Sequence, residues 1–243
     1  MARLRAASVR PVPRVRAIVV AACSAVGLAL LVSGCAAAAT PVFSAPSPTP
    51  NPTSHSTHRL RVVTIGDSLM SGYGLDLGEA WPTLLADKAH LSLTSLACGG
   101  MGFVVSGDCG TPYSGLVPAL AALQPDVVIV QSSSNDFGED PDDVRAQTLT
   151  TVQEMRDAAP NAHIIGLSTI WNDDTDTPDE VATTSDDLST AIAMVGGTFI
   201  DVGQPLAGHS AWMQDDDVHP TPRGQEAIEE AVRAKLRDAG VLS

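Results

Sequence analysis

A chain of 243 residues with a formal net charge of −14 has room for one ordinary domain and an additional segment. All 28 acidic residues follow Cys35, but only nine of the 14 basic ones do, so the part after Cys35 carries a charge near −19. That balance excludes a nucleic-acid partner, which needs clustered Lys and Arg against phosphate, and a basic patch for anionic lipid.

The first 16 residues hold Arg3, Arg5, Arg10, Arg14 and Arg16 and no acid. The apolar run AIVVAACSAVGLALLVSG follows and leads to Cys35. A basic start, an apolar stretch and small residues at its end form a secretory signal over residues 1–34. The run is also just long enough to stay in place as a spanning anchor. Val32 to Cys35, VSGC, resembles the bacterial lipobox. That resemblance implies cleavage before Cys35, lipid on its thiol and an acyl chain on its new amino group. The expected location is the outer face of the cell membrane, or the medium if the motif is not used. Residues 35–58 are rich in Ala, Pro, Ser and Thr without apolar period, and a disordered tether is expected there. The folded domain is expected over 59–243.

Of four cysteines, Cys23 falls in the signal and Cys35 is the lipid site. Cys98 and Cys109 remain, and in an exported chain two such cysteines are most simply one disulfide. An exported thiol nucleophile would oxidise, and no CxxC or His pair sits nearby to hold zinc.

Beyond the tether, short apolar runs suit buried strands at 60–65 (LRVVTI), 91–97 (LSLTSLA), 126–132 (DVVIVQS), 162–168 (AHIIGLS) and 198–202 (TFIDV). Segments with helical spacing lie between them at 78–90, 114–125, 141–160, 177–197 and 221–240. Pro82 is tolerable in a first turn, acids open the 141–160 segment, and Gly240 ends the last. Strands alternating with helices predict an α/β sandwich with helices on both faces of a five-stranded, mainly parallel sheet. Ligands bind beyond the carboxyl ends of such strands, so the loops there are where chemistry is sought.

After the first run comes Gly66-Asp67-Ser68-Leu69. A serine at such a turn can present its hydroxyl and its own N–H to a cleft; it can equally be a turn or capping residue. After the second comes ACGGMGF, a glycine-rich loop able to bring a backbone N–H near a reacting oxygen. It matches neither GxGxxG nor a phosphate loop. After the third comes QSSSND, where the Asn135 amide can point into the cleft and Asp136 suits bracing of the loop. Before the last helix comes DDDVHPTPRG; Asp216 stands three residues before His219, close enough to orient its imidazole toward a serine. The alternatives are a solvated acidic loop and a helix cap at Thr221-Pro222. Among the other histidines, His209 can line the cleft but has no carboxylate at a suitable spacing. The acidic stretch 172–180 lacks the calcium-loop pattern and reads as solvated.

Together these four stations resemble the SGNH hydrolases, also called the GDSL esterase/lipase family. Gly66 to Leu69 matches the first block letter for letter. The second block's glycine maps to Gly100, with Gly99 and Gly102 as other registers. The third block, usually GxND, reads Ser133-Ser134-Asn135-Asp136, with serine in place of the glycine. Asp216-Asp217-Val218-His219 matches the DxxH block, and HPTPRG and EAWPTLLA are similar to the family's last and first helices. The similarity runs from about residue 60 to 239. It implies a three-layer, flavodoxin-like α/β/α fold and a serine esterase with the triad Ser68, His219 and Asp216. It also implies an oxyanion hole made by the N–H groups of Ser68 and Gly100 and the Asn135 amide. No metal or organic cofactor is implied. A general α/β-hydrolase would need G-x-S-x-G, which is not found.

The expected substrate is a small-molecule, lipid or acylated-sugar ester, and a monomer is expected. An acyltransferase acting on cell-wall sugars and a non-catalytic binding module on the same fold are the competing functions. Phe103, Trp171 and Trp212 are possible cleft walls, and equally possible core residues. A bridge from Cys98 to Cys109 would hold the loop that carries Gly100.

Overall fold

Five parallel strands form one sheet in the computed structural model, which describes residues 59–242. They are β1 (Arg61–Ile65), β2 (Ser92–Ser95), β3 (Val127–Gln131), β4 (His163–Leu167) and β5 (Thr198–Ile200). The signal segment, Cys35 and the tether lie outside the described residues. The strand order is β2-β1-β3-β4-β5 and every pairing is parallel, so the sheet is more uniform than "mainly parallel". This is the doubly wound order in which the direction of winding reverses between β1 and β3.

Both faces of the central strands are covered, which is why they read as continuous apolar runs. Side chains alternate between the faces. Val62, Val127, Ile129, Ile165 and Leu167 join one core cluster; Val63, Ile65, Val128, Val130 and Ile164 join the other. The first cluster includes Leu85 of α2 (Trp81–Ala89) and Ile228, Val232 and Leu236 of α6 (Pro222–Asp238). The second includes Leu120 of α3 (Val117–Leu123), Val152 and Met155 of α4 (Pro141–Ala158), and Leu188 and Ile192 of α5 (Asp179–Met194). The result is three layers, helix–sheet–helix. β2 departs from the buried reading: Ser92, Thr94 and Ser95 are exposed, because β2 has a neighbour on one side only.

Helix boundaries follow local chemistry. Asp140 caps α4 by accepting from the Asp142 N–H, and Pro141 occupies the first turn, where no N–H is missed. Thr221 caps α6 by accepting from Gly224 N, again with proline in the first turn. Two buried polar side chains of α6 face the other elements. Gln225 accepts from the Trp81 N–H at 2.8 Å and donates to the Leu69 carbonyl at 2.9 Å. Glu229 accepts from Lys88 and from Arg233, each at 2.6 Å.

Candidate active site

Three loops leave the carboxyl ends of β1, β2 and β3 side by side, at the winding reversal. The β1 loop turns at once into a one-turn helix, α1 (Ser68–Ser71). Asp67 caps it, its Oδ1 accepting from the Leu69 N–H at 2.9 Å, and is buried at 4 % exposure. Burial raises the Asp67 carboxyl above its usual range, and the hydrogen bond from Ser133 opposes that rise. Ser68 follows it in the first helical position, at 6 % exposure.

The β2 loop carries Gly100, whose φ of +70° is left-handed backbone that glycine adopts without strain. A disulfide joins Cys98 to Cys109 across this loop. Within the bridged segment, Gly107 lies flat against the Gly99–Met101 backbone; a Cβ there would overlap Gly99 O and Met101 N. The Asp108 N–H donates to Gly99 O at 2.9 Å, and the Cys98 N–H to Gly66 O at 3.1 Å, so the loop is tied both outward and back to β1. Among the described residues the Gly100 N–H meets no acceptor.

The β3 loop enters a 3₁₀ turn at Ser134–Asp136. The Asp136 carboxylate is buried and accepts from the N–H groups of Phe103, Val104 and Val105 at 2.7–3.1 Å, locking the far arm of the β2 loop. Asn135 Nδ2 donates one proton to Met101 O at 3.0 Å. An amide nitrogen carries two protons, so this bond fixes the plane of the group and leaves a second donor. Ser133 stands where the family pattern has glycine. Its backbone is extended (φ −121°, ψ 142°), a conformation open to any residue. Its hydroxyl donates to Asp67 Oδ2 at 2.5 Å and its oxygen accepts from the Asn135 N–H at 3.1 Å. It therefore couples the Ser68 turn to the Asn135 turn.

The fourth station arrives from the C-terminal side. Residues 213–220 form a loop closed by an antiparallel bridge between Met213 and Pro220, with Asp217 in left-handed backbone (φ 55°). Asp216 Oδ2 meets His219 Nδ1 at 2.6 Å, while Oδ1 accepts from the N–H groups of Val218 and His219 at 3.0 and 2.9 Å. These bonds, the one with the His219 ring first, lower the Asp216 carboxyl to about 2. The Tyr73 ring lies over His219, 4.3 Å between centroids and tilted 31°. Gln214 Nε2 donates to both Tyr73 O and Pro220 O at 2.9 Å, joining the Tyr73 turn to the histidine loop. Among the described residues no hydrogen bond links Ser68 Oγ to His219; such contacts are often long before substrate is bound.

The aromatic residues divide. Phe103 is buried at 2 % exposure with its ring against Tyr113 and belongs to the core, not to a cleft wall. Trp171 lines a small cavity with Leu69 and Val218. Trp212 stacks on His209 at 3.6 Å, with Arg223 above it. Ser133, Tyr73, Gln214 and Gly107 escape the motif reading. The one signal for Ser133 is its departure from the GxND pattern; the other three act through contacts made only in the folded chain.

The model of the GDSL-like lipase/acylhydrolase family matches residues 64–227. A GDSL lipase of Mycobacterium tuberculosis is 29 % identical over 190 residues, covering 70 % of this chain and 79 % of that protein. An arylesterase of Vibrio mimicus is 24 % identical over 197 residues, covering 72 % and 88 %. Among solved structures, TesA superposes with a TM-score of 0.59 at 22 % identity, over 73 % of this chain and 98 % of that one. The acyltransferase SsfX3 of a tetracycline biosynthetic pathway gives 0.62 at 21 % identity, over 77 % and 56 %. With the family model spanning most of the folded domain, the chain belongs to the GDSL-like lipase/acylhydrolase family and is a serine ester hydrolase of the SGNH type.

Proposed function

We propose that the protein is an exported, lipid-anchored esterase that hydrolyses carboxylic esters through Ser68, His219 and Asp216. The observation that carries this reading is the 2.6 Å contact of His219 Nδ1 with a carboxylate held ionised by two further N–H donors. It leaves Nε2 as the nitrogen for Ser68. Attack of Ser68 Oγ on the ester carbonyl transfers its proton to Nε2, and Asp216 stabilises the imidazolium. The oxyanion of the tetrahedral intermediate accepts from the N–H groups of Ser68 and Gly100 and from the second Asn135 Nδ2 proton. Each such donor is worth roughly 3–4 kcal/mol of barrier. His219 then protonates the leaving alcohol. Water, deprotonated by the same imidazole, cleaves the acyl-serine and restores the hydroxyl.

Export and anchoring rest on the sequence of residues 1–35, with cleavage before Cys35 and residues 35–58 as the tether. Two experiments test the proposal. The purified domain is expected to hydrolyse p-nitrophenyl acetate, and Ser68→Ala to lose that activity and its labelling by a serine-directed phosphonate. Unchanged turnover in Ser68→Ala would remove Ser68 as nucleophile. Mass spectrometry of the membrane fraction is expected to show a diacylglyceryl group on Cys35, and Cys35→Ser to release the protein from membranes. An acceptor sugar added to the assay separates hydrolysis from acyl transfer.

A further inference from the structure

A cavity of about 40 Å³ opens beside the nucleophile's turn, lined by Leu69, Ser134, Ile170, Trp171, Asn172 and Val218. Three of these are the chain neighbours of Ser68, Asn135 and His219. A second cavity of about 110 Å³ lies under the first turns of α4 and α5, where Phe137, Pro141 and Val144 supply apolar wall. The rings of Phe137 and Trp171 stack at 5.6 Å between centroids, 23° apart. Trp171 lines the first cavity and Phe137 the second, and their rings are stacked on each other. Both halves are held from behind. Phe137 follows Asp136, fixed by three N–H donors, and the Trp171 N–H donates to Gln204 Oε1 at 2.7 Å.

We infer that the smaller cavity is the acyl subsite and that the Phe137–Trp171 partition restricts the enzyme to short acyl chains, acetyl to butyryl. The inference rests on the esterase reading above. At about 40 Å³ this cavity is the smaller of the two, and it takes the first few carbon atoms of a chain beyond the carbonyl. A longer chain meets the face of Trp171. On this inference the stack also closes the way to the second cavity, which Phe137 lines. Leu69, Ile170 and Val218 give the subsite its apolar character, suited to an alkyl chain and not to a charged acyl group.

The test is a chain-length series of p-nitrophenyl acetate, butyrate, hexanoate and octanoate with the wild type, Trp171→Ala and Phe137→Ala. Wild-type kcat/KM is expected to fall about tenfold or more between butyrate and octanoate. Each truncation joins the cavities, so octanoate is expected to gain at least tenfold, at about fourfold per methylene housed. The readout is the ratio of octanoate to acetate kcat/KM within each enzyme, expected to rise at least tenfold in each variant. A wild-type profile that is flat out to octanoate would overturn the inference while leaving the esterase reading intact. So would a variant that keeps acetate activity without gaining octanoate. Wild type inactive on every ester would remove the esterase reading itself. If one truncation costs the acetate activity as well, the other decides. If both do, the wild-type profile decides.

Discussion

Ser133→Ala tests how the site is held together. The Ser133 hydroxyl is 1 % exposed and makes two bonds, one to the buried Asp67 carboxylate at 2.5 Å and one from the Asn135 N–H at 3.1 Å. Losing a donor to a carboxylate costs about 1.5–3 kcal/mol, and losing the neutral bond about 1 more. The sum, about 2.5–4 kcal/mol, lowers Tm by roughly 5–15 °C in a domain of this size. The pH dependence is more telling. The Asp67 carboxyl is raised by burial and pulled down by Ser133, so removing Ser133 raises it further. A carboxyl raised in the folded state costs nothing below its unfolded value. It costs progressively more as pH climbs from that value toward the folded one. The variant's deficit is therefore expected to be smallest near pH 4 and to grow toward pH 8. The other ionisable groups that reach Asp67 are His219 and Tyr113; burial holds the Tyr113 hydroxyl well above 10, so it stays neutral throughout. Urea titrations of wild type and variant at pH 4, 6 and 8, followed by tryptophan fluorescence, measure this. A deficit that is constant across the three, or greatest at pH 4, would refute the coupling.

Two further outcomes are expected. Asp216 is held ionised to about 2, so its charge is present above pH 4 and is lost only as pH falls through that value. The pH–rate profile should accordingly show no limb from this carboxyl between pH 4 and 8, and Asp216→Asn should lower kcat by roughly 10²–10⁴-fold across that range. A limb near pH 4 that vanishes in Asp216→Asn would contradict this. Reduction of the Cys98–Cys109 bridge frees a loop closed by residues 11 apart, worth roughly 3 kcal/mol in the chain-entropy model. Differential scanning calorimetry with and without reductant should show the lower Tm, and esterase rates should fall with it because Gly100 lies inside that loop.

The central strands were readable because burial on both faces leaves a continuous apolar run, as in Val127–Gln131. The edge strand Ser92–Ser95 carries less of that signal, since only Leu93 turns toward the core. Ser68, Gly100, Asn135 and the Asp216–His219 pair were readable as residues because each sits in a short local pattern. Asp216 reaches His219 across three residues, within range of a spacing argument. What was not legible depends on distance along the chain. Ser133 meets Asp67 across 66 residues, and Gln225 meets Leu69 across 156. The Phe137–Trp171 stack and the burial of Phe103 likewise arise only when loops from different strands meet. A lone Phe or Trp in a loop carries no mark of which wall it will form.

Gln225 joins two early segments of the domain to a late one. One side chain on the last helix holds both the carbonyl of Leu69, in the serine's own turn, and the first N–H of α2. The same helix is capped by Thr221, two residues after His219. The Ser68 turn and the segment after His219 are thus both tied to one helix. Anything that loosens this one helix is therefore expected to loosen the Ser68 turn and the His219 loop together.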